Sequence, residues 1–349
     1  MTATAPPAAT RAAPPKVVPA KVATIRPLDI FARADWVALT RVSRWRGAWL
    51  VAHAWLVILA SIAATMWLWS MAWPLGLIAA PVAIAIIGGR QLGLAILMHD
   101  AAHALLLRNR AWNNRLGQWL CAAPVGTDLH AYRAYHLTHH LYTQTQADPD
   151  LGLSAPFPVT RASLRRKFLR DLTGQTFVKQ RWAQLRAAFT GDARVSPADP
   201  TATADDEPTI DDTANVFVRA ATLRFLLVHA ILLGASIAIT GTAWPFALWL
   251  AALATTFPLF LRIRNIAEHA CTPTDSGDPF SHARTTRAGR LARATVAPYW
   301  VNFHSEHHLF MGVPARSLPR VHALLAADHH ARMTIAPGYR AVLASVVTR

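Results

Sequence analysis

Two long stretches of this 349-residue chain carry no Asp, Glu, Lys or Arg: Gly47 to Gly89 and Phe225 to Leu261. Helices of a soluble enzyme keep a wet, charged face, so that class is excluded and membrane spans become the first expectation. Cysteine is scarce as well. Cys121 and Cys271 alone support neither a disulfide framework nor a four-thiolate cluster. Acidic residues are few, 19 against 35 Lys and Arg, which leaves a net charge of +16. Such an excess suits nucleic acid or an anionic membrane face. The chain has no basic, aromatic-interleaved motif and no nucleic-acid module, so the membrane reading wins, in line with a mean hydropathy of +0.24 and 13 Trp. A GxGxxG dinucleotide fingerprint is also missing. Any electrons the protein uses must arrive from a partner.

The uncharged runs divide into hairpins. The second, 37 residues long, extends roughly 55 Å as helix, close to two crossings of a ~30 Å hydrocarbon core. Spans are expected at about 48–69 and 73–97, then 225–240 and 244–261. Each returning arm opens with Trp then Pro, at Trp73-Pro74 and Trp244-Pro245; proline is tolerated at a first helical position, and Trp prefers the interface. All 35 Lys and Arg lie outside the two runs, so the positive-inside rule puts both termini and the middle segment in the cytoplasm, with a bacterial-type inner membrane as the setting. The expected fold is all-α: a polytopic membrane protein with two helical hairpins and a helical cytoplasmic cap. Residues 1–45 read as a disordered or amphipathic N-terminal segment, 46–325 as the membrane domain, 193–213 as a mobile loop and 326–349 as a cytoplasmic tail. Residues 112–131 are too interrupted to span and read as an interfacial or re-entrant helix.

Histidine is what the chain has in excess of need. Eight of its 16 histidines fall in three five-residue windows, "HDAAH" (99–103), "HLTHH" (136–140) and "HSEHH" (304–308). Offsets of three and four put side chains on one helix face, so each window can aim two or three nitrogens at one point. Imidazole suits zinc, copper, iron and nickel, and eight ligands exceed the needs of one ion. An even number of crossings brings all three windows to one side of the membrane. A fourth element, "RNIAEHA" (264–270), spaces Asn265 and His269 four apart just past the last span.

The HxxxH, HxxHH, HxxHH order around two membrane hairpins resembles the integral-membrane fatty acid desaturase family over roughly residues 50–325. The line "NFHSEHHLFMGVPARSLPRVH" (302–322) is similar to the family's third box and the segment after it. The resemblance implies two non-haem iron ions. Their ligands would be His99, His103, His136, His139, His140, His269, His304, His307 and His308, with Asn265 reaching iron through water. It also implies a lipid or acyl substrate, dioxygen and a ferredoxin- or cytochrome-type electron donor. The three residues between the first two histidines match sphingolipid-type, bacterial lipid and carotenoid-modifying relatives, so a hydroxylase or ketolase is the alternative to a fatty acyl desaturase.

Carboxylates beside the boxes are candidates to accept the second N–H of a ligand histidine: Asp100, Glu268, Glu306 and Asp148, with Asp150 in reserve. Arg108, Arg110 and Arg133 are candidates for an anionic head group. His53 and His229 fall inside spans and are expected to face the bundle.

Overall fold

The computed structural model describes residues 21–191, 212–274, 276–325 and 328–348. The 193–213 loop expected from sequence falls almost wholly outside them. Four helices are long and apolar enough to cross a membrane: Arg46–Met71, Trp73–Ala102, Phe217–Thr240 and Trp244–His269. They are the two expected hairpins, and both returning arms begin at the Trp-Pro pairs.

The helices overrun the expected spans at one end. The second continues to Ala102 and the fourth to His269, carrying polar residues beyond the apolar run. The fourth is broken at Thr255 (φ −121°, ψ −73°). Pro258 is the cause: it offers no N–H to the Ala254 carbonyl and its ring crowds that carbonyl. Thr256 Oγ1 then donates to Ile84 O at 2.8 Å, tying the break to the second span.

The second span is the bundle's axis. Its last half, from Ile87 through Ala102, is almost continuously buried. Close approach depends on small residues there: a Cβ on Gly89 would lie 2.1 Å from Ala294 O, and one on Gly47 in the first span 1.9 Å from Leu106 O. Within 112–131 the chain is helical to Val125, with a π-helical turn at Gly117–Ala122, and breaks at Gly126 (φ 78°) before the next helix starts at Leu129. Trp112, Trp119 and Leu120 are exposed while Cys121, Ala122 and Ala123 are fully buried.

The two end segments are more ordered than their composition suggests. Residues 21–45 run as a strap over residues 310–318, with Phe31 and Leu39 buried beside Phe310, Val313 and Leu318. Thr334–Ala336 pairs in parallel with Arg284–Thr286, and Val347–Thr348 with Val159–Thr160. Val342 and Val346 are buried against Ile266 and Ala267 of the fourth span. Residues 328–348 are thus part of the body. A tail is what polar composition predicts when its few apolar residues have no visible partner, and these partners come from elsewhere in the chain.

Candidate metal centre

The histidine windows meet at one end of the bundle. His99 and His103 come from the end of the second span and the turn after it, and His269 closes the fourth. Helix Leu129–Tyr142 starts at Asp128, whose carboxylate accepts from His130 N and Ala131 N and pairs with Arg224 at 2.5 Å. Its 14 residues place His136, His139 and His140 on one buried face. The short helix His304–Leu309 follows two non-glycine residues in the left-handed region, Tyr299 (φ 51°) and Trp300 (φ 63°). Such backbone costs about 1–3 kcal/mol per residue. Tyr299 is held there by its hydroxyl, 2.9 Å from His53 Nδ1 and 3.2 Å from Leu50 O.

Nine imidazoles form two adjoining groups. His99, His103, His136, His140 and His307 bring one nitrogen each within 4.8 Å of one another, and so do His139, His269, His304 and His308. Within the first group His140 Nε2 lies 2.9 Å from both His136 Nε2 and His307 Nε2. Within the second, Nε2 separations are 2.9 Å for His304–His269, 3.1 Å for His308–His304 and 3.3 Å for His139–His308. Metal–nitrogen bonds of about 2.0–2.1 Å at right angles would set neighbouring nitrogens about 3 Å apart.

Proton placement says why a cation fits. His269 Nδ1 is 3.1 Å from the His282 carbonyl, which can only accept, so Nδ1 carries the proton and Nε2 is a bare lone pair. His308 Nδ1 similarly faces Thr143 Oγ1 at 3.3 Å, and His304 Nδ1 faces Glu268 at 3.4 Å. Buried His99 Nε2 and His103 Nε2 have no hydrogen-bond partner. Lone pairs converging out of reach of water repel one another, and a positive ion relieves that. Burial, reinforced by neighbouring imidazoles, holds His136, His140, His304, His307 and His308 well below the ordinary histidine range, and burial with Arg133 takes His103 down to about 4. These rings are therefore in the neutral form that ligation needs. His139 is the exception: burial lowers it, but the hydrogen bond and charge of Asp148 outweigh burial and move it up.

The four carboxylates divide by geometry. Asp148 accepts from His139 Nδ1 at 2.7 Å, and Glu268 lies between His304 and Arg264, 2.5 Å from the guanidinium. Asp100 stays 4.0 Å from His99 Nδ1 and accepts from Ala315 N at 3.4 Å. Glu306, expected beside a ligand ring, instead bonds Thr285 Oγ1 at 2.5 Å and His322 Nδ1. The reason is helical: the i, i+3, i+4 spacing that turns His304, His307 and His308 inward turns position i+2 outward. Asn265 lines a small pocket with His139, His269 and His304.

Further polar residues hold the histidine-bearing helices in place; of these, sequence singled out only Arg133, and for another role. Arg133 donates to the carbonyls of Ala101 and Ala102 and to Asn114 Oδ1, which uses it as a cap rather than as a head-group site. Arg284, which is buried, donates to the Ala267 and Ala270 carbonyls. Both guanidiniums thus sit at the negative C-terminal ends of the helices that carry His99 and His269. Asn113 closes the turn after His103 by accepting from Leu106 N and Leu107 N and donating to Ala101 O. Gln144 links the second-box helix to the fourth span through His269 O and Thr272. Nothing in the sequence marks Arg284, Asn113 or Gln144 for these roles, because the partners lie up to 128 positions away.

Fold and site together define a polytopic membrane protein whose buried histidine groups can bind metal. The family model for fatty acid desaturases matches residues 71–336, and the chain belongs to that family. It is also similar to the dihydrorhizobitoxine desaturase of Bradyrhizobium elkanii, with 26% identity over 268 residues, 76% of this chain and 70% of the relative. The protein is accordingly an oxidoreductase.

Proposed function

We propose that this chain is a di-iron, dioxygen-dependent desaturase that puts a double bond into an aliphatic acyl chain at the cytoplasmic face of an inner membrane. The observation that carries this reading is the pair of adjoining imidazole groups, five and four strong, with bare nitrogens turned inward. The first group would hold one iron and the second the other. Iron bound there would activate dioxygen, which is reduced to two waters with two electrons and two protons from outside and two hydrogens from the substrate.

The chain's own residues supply orientation and exclusion of water. Asp148 and the His282 carbonyl fix the tautomers of His139 and His269, while Arg133 and Arg284 anchor the helices beneath them. The pocket beside Asn265 has a volume of about 30 Å³, enough for a water through which Asn265 would reach the second group. The excess of Lys and Arg suits an acidic ferredoxin- or cytochrome-type donor.

The test is reconstitution of the iron-loaded protein with a donor system, followed by mass spectrometry of candidate acyl substrates. Dioxygen-dependent loss of two hydrogens is expected. Gain of oxygen instead would identify the hydroxylase or ketolase alternative, and no oxidised product from any aliphatic substrate would overturn the reading.

A further inference from the structure

A substrate must reach the junction of the two imidazole groups, and a cleft of about 410 Å³ does so. That volume lies within the range of small-molecule sites. At its inner end are His140 from the first group and His308 from the second, whose ring centroids are 4.4 Å apart. One wall is the N-terminal strap, pinned to the second-box helix by Val22 N donating to Leu141 O at 2.9 Å. The facing wall is the turn that follows the third box, with Phe310 packed 5.7 Å from Trp36. The strap is pinned beside His140 through Leu141, and the turn begins at Leu309, next to His308, so a molecule between them lies against both imidazole groups.

Three features of the lining identify its occupant. The walls are apolar, built largely from Ile25, Trp36, Leu141, Leu309 and Phe310. Among the described residues no Asp or Glu lines the cleft, while Lys21 does, and it is exposed. None of the lining residues belongs to any of the four spans. A groove between the first two spans, of about 650 Å³, touches no candidate ligand. An apolar passage that avoids the spans, ends at the imidazoles and carries a cation fits an aliphatic chain with an anionic head that arrives from water.

We propose that this cleft is the substrate port, taking a water-borne aliphatic carboxylate or similarly anionic amphiphile rather than a chain embedded in the bilayer. This rests on the desaturase reading above and narrows its substrate class. The chain lies between strap and turn, its head group at Lys21 and its methylenes facing the His140–His308 junction.

Gly312 gives a clean way to close the port. It lines the cleft, its backbone is outside the left-handed region, and a Cβ there meets nothing within 4 Å, so the side chain of Gly312→Trp starts into open space and unchanged metal content reports that the variant folds. The full-length protein in lipid nanodiscs is photolabelled with a diazirine-bearing decanoate, and the labelled peptides are mapped. Label on residues 21–36 and 309–312, lost in Gly312→Trp and weakened in Lys21→Glu, is expected, together with loss of decanoate oxidation in Gly312→Trp at unchanged metal content. Label confined to the spans, or equal labelling and turnover in Gly312→Trp, overturns the port. The two readings separate cleanly. Label in the cleft without any oxidised product keeps the port and sinks the desaturase reading; product with label only in the spans does the reverse.

Discussion

Asp148→Asn isolates one half of the proposed centre. The Asp148 carboxylate receives three hydrogen bonds, from His139 Nδ1 at 2.7 Å and from Gln144 N and Asp150 N at 2.8 Å each. An asparagine keeps a single acceptor oxygen. Whichever way its amide turns, an NH2 group then faces a donor, either the Gln144 N–H or the His139 and Asp150 N–H groups. His139 also loses the negative charge that raises its basicity. Replacing a carboxylate behind a ligand histidine weakens metal binding about 10–100-fold, or roughly 1.4–2.8 kcal/mol. Asp150 Oδ2 is already 3.8 Å from His139 Nδ1 and can take over part of the role, so the expected loss is nearer tenfold. It should fall on the group of His139, His269, His304 and His308 and spare the other five rings. Chelator competition on purified protein, with metal counted per chain, reads this directly: wild type keeps two ions where the variant keeps one. Two ions retained in Asp148→Asn at the same chelator concentration would refute the assignment of His139 as a ligand.

Other consequences can be checked separately. Arg284→Gln removes a buried cap from the Ala267 and Ala270 carbonyls and should cost about 2–3 kcal/mol, seen as a lower melting temperature and as preferential loss of the His269-containing ion. Gly47→Val forces side-chain atoms onto the Leu106 carbonyl and should destabilise by about 1–3 kcal/mol, whereas Gly312→Ala, which projects into open space, should leave the melt unchanged. The metal-free chain should lose stability as pH falls from 6.5 toward about 4, because burial lowers His103 to about 4 and holds His136, His140, His304, His307 and His308 well below the ordinary 6.5, so these six rings bind more protons in the unfolded state throughout that window. A pH-independent melt of metal-free protein across it would contradict the burial of these neutral rings.

Sequence by itself determined the hairpins and the chemistry. A run without charge that is long enough for two crossings has few other uses, and histidines at offsets of three and four converge on any helix, whatever surrounds it. Those are local facts of period and polarity. Tertiary structure alone decided how the rings divide. His140 and His139 are adjacent in the chain yet fall in different groups, because they sit about 100° apart on the helix and meet different partners, His307 for one and His308 for the other. It also decided that Glu306 turns away to His322, that Arg133 and Arg284 cap the helices that carry His99 and His269, and that the strap at residues 21–45 packs against Phe310, Val313 and Leu318. Each of these depends on a contact between segments distant in sequence, where direction and distance are set by packing rather than by spacing along the chain.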